Sequence, residues 1–210
     1  MRKGNATRER ILEIAEASVL AKGFGATSIE EIIAEAEITK SGFFYHFKDK
    51  NELARGLVSR YNDQNDRLLA EVFGRAGELT EDPLQQLLIG LNLFAERMAA
   101  IPEGHPGCIV ATMSYQDRLF DRDVREMITE VAEHWNAYFT RMIDSIIAVY
   151  PTRDPVDSAA LARAICCAID GGIIMAKALN QPQILPEQML MARQMIKLTF
   201  QPPLLDRAAA

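Results

Sequence analysis

Three observations predict an all-α chain. Almost every long segment carries apolar residues at helical spacing. No stretch shows sustained strand alternation bounded by turn dipeptides. Pro83, Pro102, Pro106, Pro151, Pro155, Pro182 and Pro186 punctuate the gaps between periodic segments, where a missing N–H costs little. The predicted architecture is a short N-terminal three-helix unit followed by a larger helical bundle.

The first helix starts near Thr7 and places Ile11, Ile14, Ala15, Ser18 and Val19 on one face. It stops at Lys22-Gly23-Phe24, where glycine can adopt the left-handed C′ conformation and phenylalanine can fold back. Ser28-Ile29-Glu30-Glu31 is a Ser-x-x-Glu capping box that opens a second helix with the stripe Ile29, Ile32, Ile33 and Ala36. After a break at Glu37-Ile38, Thr39 is the N-cap of a third helix of barely two turns. Asp49-x-x-Glu52 caps a fourth that runs to about Phe73. Gly74 to Asp82 reads as the most linker-like stretch. Further helices are expected near 83–100, 108–118, 121–149, 155–180 and 186–200, and the tail after Pro202-Pro203 is expected to fray.

A chain of 210 residues, 49% hydrophobic and 25% charged, has the composition of an ordinary globular protein. Its N-terminal stretch is charged throughout and shows no secretory h-region, and no uncharged run approaches the ~18 apolar residues of a membrane helix. Three cysteines, two of them adjacent, fit a reduced cytoplasmic setting better than a disulfide framework. The net charge of −6 argues against nucleic acid until the chain is divided. Residues 1–60 hold ten Lys/Arg and nine Asp/Glu, whereas 61–210 hold thirteen and twenty. The acidity belongs to the C-terminal part, and the N-terminal part is balanced, so the position of its charges and not their total decides whether it can face phosphate.

Two short helices joined by a tight turn, after a longer helix, make a helix-turn-helix unit. Within KSGFFYHFKDK, Phe43 and Phe47 are four apart and share a face. Burying those two turns Lys40, Ser41, Phe44 and Tyr45 outward. Lysine and hydroxyl groups suit phosphate oxygens, and an apolar ring can touch a thymine methyl. Gly42 removes a side chain where backbone must approach a groove. Lys50 lies in the first turn of the fourth helix, where free N–H groups already favour an anion. A helical hairpin with an ordinary charged surface is the alternative on pattern alone.

The stretch ATSIEEIIAEAEITKSGFFYHFKDKNELARGLV resembles the helix-turn-helix signature of the TetR family of bacterial transcriptional regulators, over about residues 7–58. The resemblance implies that Thr39, Lys40, Ser41, Gly42, Phe44, Tyr45, His46 and Lys50 face DNA, and Thr27 and Ser28 at the preceding cap are added to that face. Where many members carry two consecutive tyrosines this chain has Phe44-Tyr45, so one phosphate-bonding hydroxyl is missing. The implied division is a DNA-binding domain at 1–48, continuing into a linking helix at 49–73, and an effector-binding and dimerisation domain at 49–210. A double-stranded operator, a second copy and a small-molecule effector are the implied partners.

From Asp157 to Asn180 the interior charges are Arg163, Asp170 and Lys177, seven apart, and the rest is apolar or small. A helix apolar on nearly all sides is covered on both faces. The outer cover is most simply a second copy meeting Ala164, Ala168, Gly171, Gly172 and Met175, with Met191 and Met195 of the last helix; a central core helix of a monomer is the alternative. Phe94, Met98, Cys108, Met113, Tyr115, Trp135, Phe139 and Met142 are candidates for an effector pocket between helices, and the absence of charge among them favours an apolar or aromatic effector. The same pattern also serves as core.

No catalytic, metal-binding or cofactor motif emerges, and no enzyme activity, metal or cofactor is expected. His46, His105 and His134 are far apart, and no H-E-x-x-H, G-x-S-x-G, P-loop or dinucleotide fingerprint is present. The function expected is a DNA-binding regulator, a repressor released from a palindromic operator by its effector. The alternatives are a thiol-reactive redox regulator using Cys108, near a helix start where a thiolate is stabilised, and a helical binding protein or enzyme that uses no DNA.

Overall fold

The computed structural model describes residues 3–152 and 154–200. The helices in chain order are α1 (Lys3–Lys22), α2 (Ile29–Glu35), α3 (Lys40–His46), α4 (Lys50–Leu79), α5 (Pro83–Ala99), α6 (Ile109–Ser114), α7 (Arg122–Ile147), α8 (Ser158–Leu179) and α9 (Ile184–Phe200). One 3-10 turn lies at Asp117–Leu119, and there is no strand among the described residues. The chain is all-α, as its periodicity predicts. By packing it divides into two compact units, residues 1–66 with 106–132 and residues 67–105 with 133–210.

Several boundaries differ from the expected ones. α1 begins at Lys3 instead of near Thr7, and the segment expected as one helix at 108–118 is α6 followed by the 3-10 turn. α4 continues past Phe73 through Gly74 and Gly77 to Leu79, where a linker was expected. Each helical glycine costs about 1 kcal/mol, but Val72, Phe73 and Ala76 are buried on one face and outweigh it. The tail beyond Pro202 lies outside the described residues.

In the first unit, Ile11, Leu12, Ala15 and Val19 of α1 are buried with Phe43, Phe47, Leu53, Ala54, Leu57 and Val58. Gly56 allows α4 to lie close, since a β-carbon there would come within 3.0 Å of both Leu12 and Phe47. Arg60 of α4 reaches across to three acids of α1: Glu9, Glu13 at 3.3 Å and Glu16 at 3.1 Å. Its side chain is only 18% exposed. A charge so placed is held by being paired, and it ties two helices that are far apart in sequence.

In the second unit α9 packs against both α5 and α8. The close approach of α8 and α9 occurs at Gly172, where a β-carbon would sit 3.1 Å from the Leu185 backbone. Arg193 donates from Nε to the Leu88 carbonyl at 3.0 Å, fastening α9 to α5. α5 is opened by Asp82 as N-cap with Pro83 behind it, and the Tyr150 hydroxyl donates to the same Asp82 carboxylate. α8 runs from the N-cap Asp157 to Asn180, which takes the left-handed conformation at φ 52°. By length and composition alone α8 is apolar enough to cross a membrane, with a mean hydropathy of 1.7 over 18 residues, although no uncharged run within it approaches that length. Charges spaced seven apart leave an 18-residue window with only two of them. In the structure this helix packs along α9.

Candidate nucleic-acid interface

The helix-turn-helix is set by two local caps. Ser28 Oγ accepts the Glu31 N–H at 3.1 Å while the Glu31 carboxylate accepts the Ser28 N–H at 3.3 Å. The predicted capping box is therefore present and starts α2. The chain leaves α2 through Glu37, left-handed at φ 52°, and re-enters helix at Thr39. Thr39 Oγ1 accepts the Gly42 N–H at 3.0 Å. Such a cap is worth about 1 kcal/mol. A β-carbon on Gly42 would lie 3.2 Å from that same oxygen, so glycine lets the cap close tightly.

Phe43 and Phe47 are fully buried, with ring centroids 5.8 Å apart. They anchor the underside of α3. Lys40 and Ser41 are exposed, as are Phe44 at 39% and Tyr45 at 82%. His46 is half-buried and meets the Tyr45 ring edge-on at 5.0 Å. The rings thus divide two and two, as the four-residue spacing predicts. What remains outside is a cation, hydroxyls and an apolar ring on a helix whose other face is locked in core.

Lys50 begins α4, whose start is capped by Asp49 Oδ1 accepting the Glu52 N–H at 2.8 Å. Its side chain folds over the α1–α2 turn, with Nζ 4.8 Å above the Phe24 ring centroid and 3.5 Å from the Gly25 carbonyl. Burial lowers its pKa. Thr27 sits differently from the expectation that it faces DNA. It is 1% exposed, and its hydroxyl donates to the Gly23 carbonyl at 3.0 Å and pairs with Ser18 Oγ at 3.0 Å. The hydroxyl holds the turn from inside, while Ser28 next to it is half-buried.

The family described as bacterial regulatory proteins, tetR family, matches residues 11–57, the span of this cap, turn and helix arrangement. The transcriptional regulator AcuR of Cereibacter sphaeroides is 27% identical over 162 residues, covering 77% of this chain and 72% of that relative. The transcriptional repressor DhaR of a Mycobacterium species (strain GP1) is 22% identical over 136 residues, 65% of each chain. A TetR-family regulator structure from Agrobacterium tumefaciens superimposes with a TM-score of 0.78 at 19% identity, over 95% of this chain and 100% of that one.

Over residues 11–57 the chain belongs to the TetR family. This TetR-family protein is accordingly a DNA-binding transcriptional regulator. The remaining candidate residues fall in both units. In the second, the Trp135 ring lies 6.3 Å from Phe94 and 6.1 Å from Phe139, and Phe73 meets Tyr138 and Phe139 edge-on. Met98 is buried and Met142 half-buried there. In the first, Met113 and Cys108 are buried, whereas Tyr115, expected in a pocket, is 82% exposed because α6 ends before it and turns it out. Cys108 is the N-cap of α6, its sulfur accepting the Ala111 N–H at 3.3 Å. Among the expected dimer residues, Met175 (48%) and Met191 (61%) are exposed, Ala164, Ala168, Gly171 and Met195 are half-buried, and Gly172 is turned inward against Leu185.

Sequence reasoning missed the part of the first unit that follows α6. Gln116, Phe120 and Asp121 pack on the helix-turn-helix at Gly25, Phe24 and Arg55. The only local signal was the Gly23-Phe24 stop, which marks a ring folding back without saying what it folds against.

Proposed function

We propose that this TetR-family regulator is a cytoplasmic repressor that binds a near-palindromic operator as a homodimer and is released by a small apolar or aromatic effector. The observation that carries the reading is the outward face of α3, with Lys40, Ser41, Phe44 and Tyr45 presented by a helix buried through Phe43 and Phe47. The start of α3 enters the major groove, and Lys50 binds phosphate at the start of α4. The division proposed is DNA binding at 1–48, continuing through 49–73, and effector binding and dimerisation within 49–210.

Dimerisation is supported by apolar side chains left exposed on two adjacent helices: Ile174, Met175 and Leu179 of α8 with Leu190, Met191 and Leu198 of α9. A second copy placed on this face gives two recognition helices, with half-sites about 34–36 Å apart or a multiple of it. The rings around Trp135 support an aromatic effector within the second unit. Repression rather than activation is supported by the name of DhaR. The alternative of a thiol switch at Cys108 is unsupported.

Gel-shift titration of the DNA upstream of the chain's own gene, against scrambled DNA, tests the operator. Equal affinity for both would remove the sequence-specific reading. Sedimentation tests the dimer: Met191→Glu should yield monomers that bind operator at least about tenfold more weakly. A wild-type monomer at micromolar concentration would end that part of the proposal.

A further inference from the structure

Lys50 is not left to find its own position. Both groups its ammonium rests on, the Phe24 ring and the Gly25 carbonyl, are held by a segment more than ninety residues away in the chain. Phe120 packs on Phe24 with ring centroids 4.7 Å apart, and the two rings are 4% and 2% exposed. Gln116 Oε1 accepts the Gly25 N–H at 3.0 Å, fixing the residue whose carbonyl faces Lys50. The Gln116 amide lies where a β-carbon on Gly23 would stand, 2.6 Å from it, and Gly23 itself is at φ +87°. The turn is built to receive this side chain.

The same segment also holds the base of the lysine. The Asp121 N–H donates to Asn51 Oδ1 at 3.2 Å, one residue beyond Lys50, and the Asp121 carboxylate pairs with Arg55 at 2.8 Å. Asp121 Oδ1 further caps α7 by accepting the Val124 N–H at 3.0 Å. All these groups lie within the first unit.

We infer that Phe120 and Gln116 are positioning residues for DNA binding, acting through Phe24 and Gly25 to preset the Lys50 ammonium for a backbone phosphate. The inference rests on the proposed phosphate contact at Lys50. A free lysine side chain loses rotamer freedom when a phosphate immobilises it; one already seated on a ring and a carbonyl has lost that freedom on folding. Cation–ring contact seats the ammonium without using up its donors, since it makes three. Phosphate contacts carry no base information, so this device sets affinity for all duplexes and leaves sequence preference to α3.

A double-mutant cycle on DNA affinity tests it, using full-length protein, a 30-base-pair operator duplex and a scrambled duplex across a salt series. Lys50→Ala should weaken both duplexes and lower the salt slope by about one unit. Phe120→Ala and Gln116→Ala should each weaken both duplexes, by about tenfold for Phe120→Ala, the order of the freedom a lysine regains. In the Lys50→Ala background each should change affinity by less than about twofold, because the group they position is gone. If Phe120→Ala does not fold, as far-ultraviolet circular dichroism would show, Gln116→Ala and Phe120→Leu carry the cycle. Equal losses with and without Lys50 would overturn the inference, leaving only a structural role. If Lys50→Ala leaves affinity and salt slope unchanged, the phosphate contact fails first and the inference falls with it.

Discussion

Adding one methyl group at position 90 should strain the second unit measurably. A β-carbon on Gly90 would lie 2.2 and 2.3 Å from two ring carbons of Phe73. Carbon pairs settle near 3.5–4.0 Å, so the ring must retreat by roughly 1.3 Å. It has little room, being 6% exposed and set against Tyr138 and Phe139 at 5.6 and 5.7 Å. Overpacking of this kind costs about 1–3 kcal/mol, and the better helix propensity of alanine offsets about 1 of it. Gly74→Ala is the reference, because Gly74 is exposed in α4 and a β-carbon there meets nothing within 4 Å. That variant should gain about 1 kcal/mol. The two alanines should therefore differ by about 1–3 kcal/mol in opposite senses of fit. Urea unfolding followed by Trp135, the sole tryptophan, reads the right unit because its ring neighbours are Phe94 and Phe139. If Gly90→Ala unfolds at the same urea concentration as Gly74→Ala, the packing argument is wrong. If effector binding uses this ring cluster, Gly90→Ala should also shift the effector concentration that releases DNA.

Thr39→Ala removes the cap of α3 and should cost about 1 kcal/mol of stability, with weaker DNA binding as the helix start loosens; thermal melts and gel shifts measure the two. His105 has its pKa lowered, first by burial and then by Lys177, from an ordinary value of 6.5. The folded state thus favours the neutral ring, a contribution present above about pH 6.5 and lost as pH falls toward the folded value. His105→Asn should flatten the decline in urea midpoint between about pH 7 and 5, and an unchanged decline would refute that assignment. Asp82 is held below its ordinary range by the Tyr150 hydroxyl and then the Gln85 N–H. Tyr150→Phe should raise it, as carboxyl resonances followed by NMR titration would show, and the stability it lends at neutral pH should fade at a higher pH than in the wild type.

Features set by neighbours three or four residues apart were legible in the sequence. Ser28 with Glu31, Thr39 before a short helix, and Phe43 with Phe47 each announce themselves, because the groups that satisfy one another are close along the chain. Gly74 and Gly77 misled for the complementary reason. Local propensity says break, and what overrides it is the burial of Val72, Phe73 and Ala76 by segments elsewhere in the chain. Thr27 misled because a hydroxyl beside a cap suits either solvent or the interior, and only the position of Ser18 decides. The packing of residues 116–121 on the head was invisible, since Gln116, Phe120 and Asp121 carry no pattern that names Gly25, Phe24 or Arg55 as partners. On the outward face of α3 the residue types were readable, whereas the packing around Lys50 was not.

The three glutamates that Arg60 gathers also bear on how the head comes into being. Glu9, Glu13 and Glu16 crowd like charges onto successive turns of α1, an arrangement that works against an isolated helix until the guanidinium arrives. Arg60 and Phe120 thus complete, from later in the chain, what α1 and the turn after it begin. A recombinant fragment ending at residue 48 would lack both Arg60 and the ring that covers Phe24. A chimera made by grafting this DNA reader onto another regulator would need to carry residues 106–132 as well, although they lie forty residues downstream of the last part of the head.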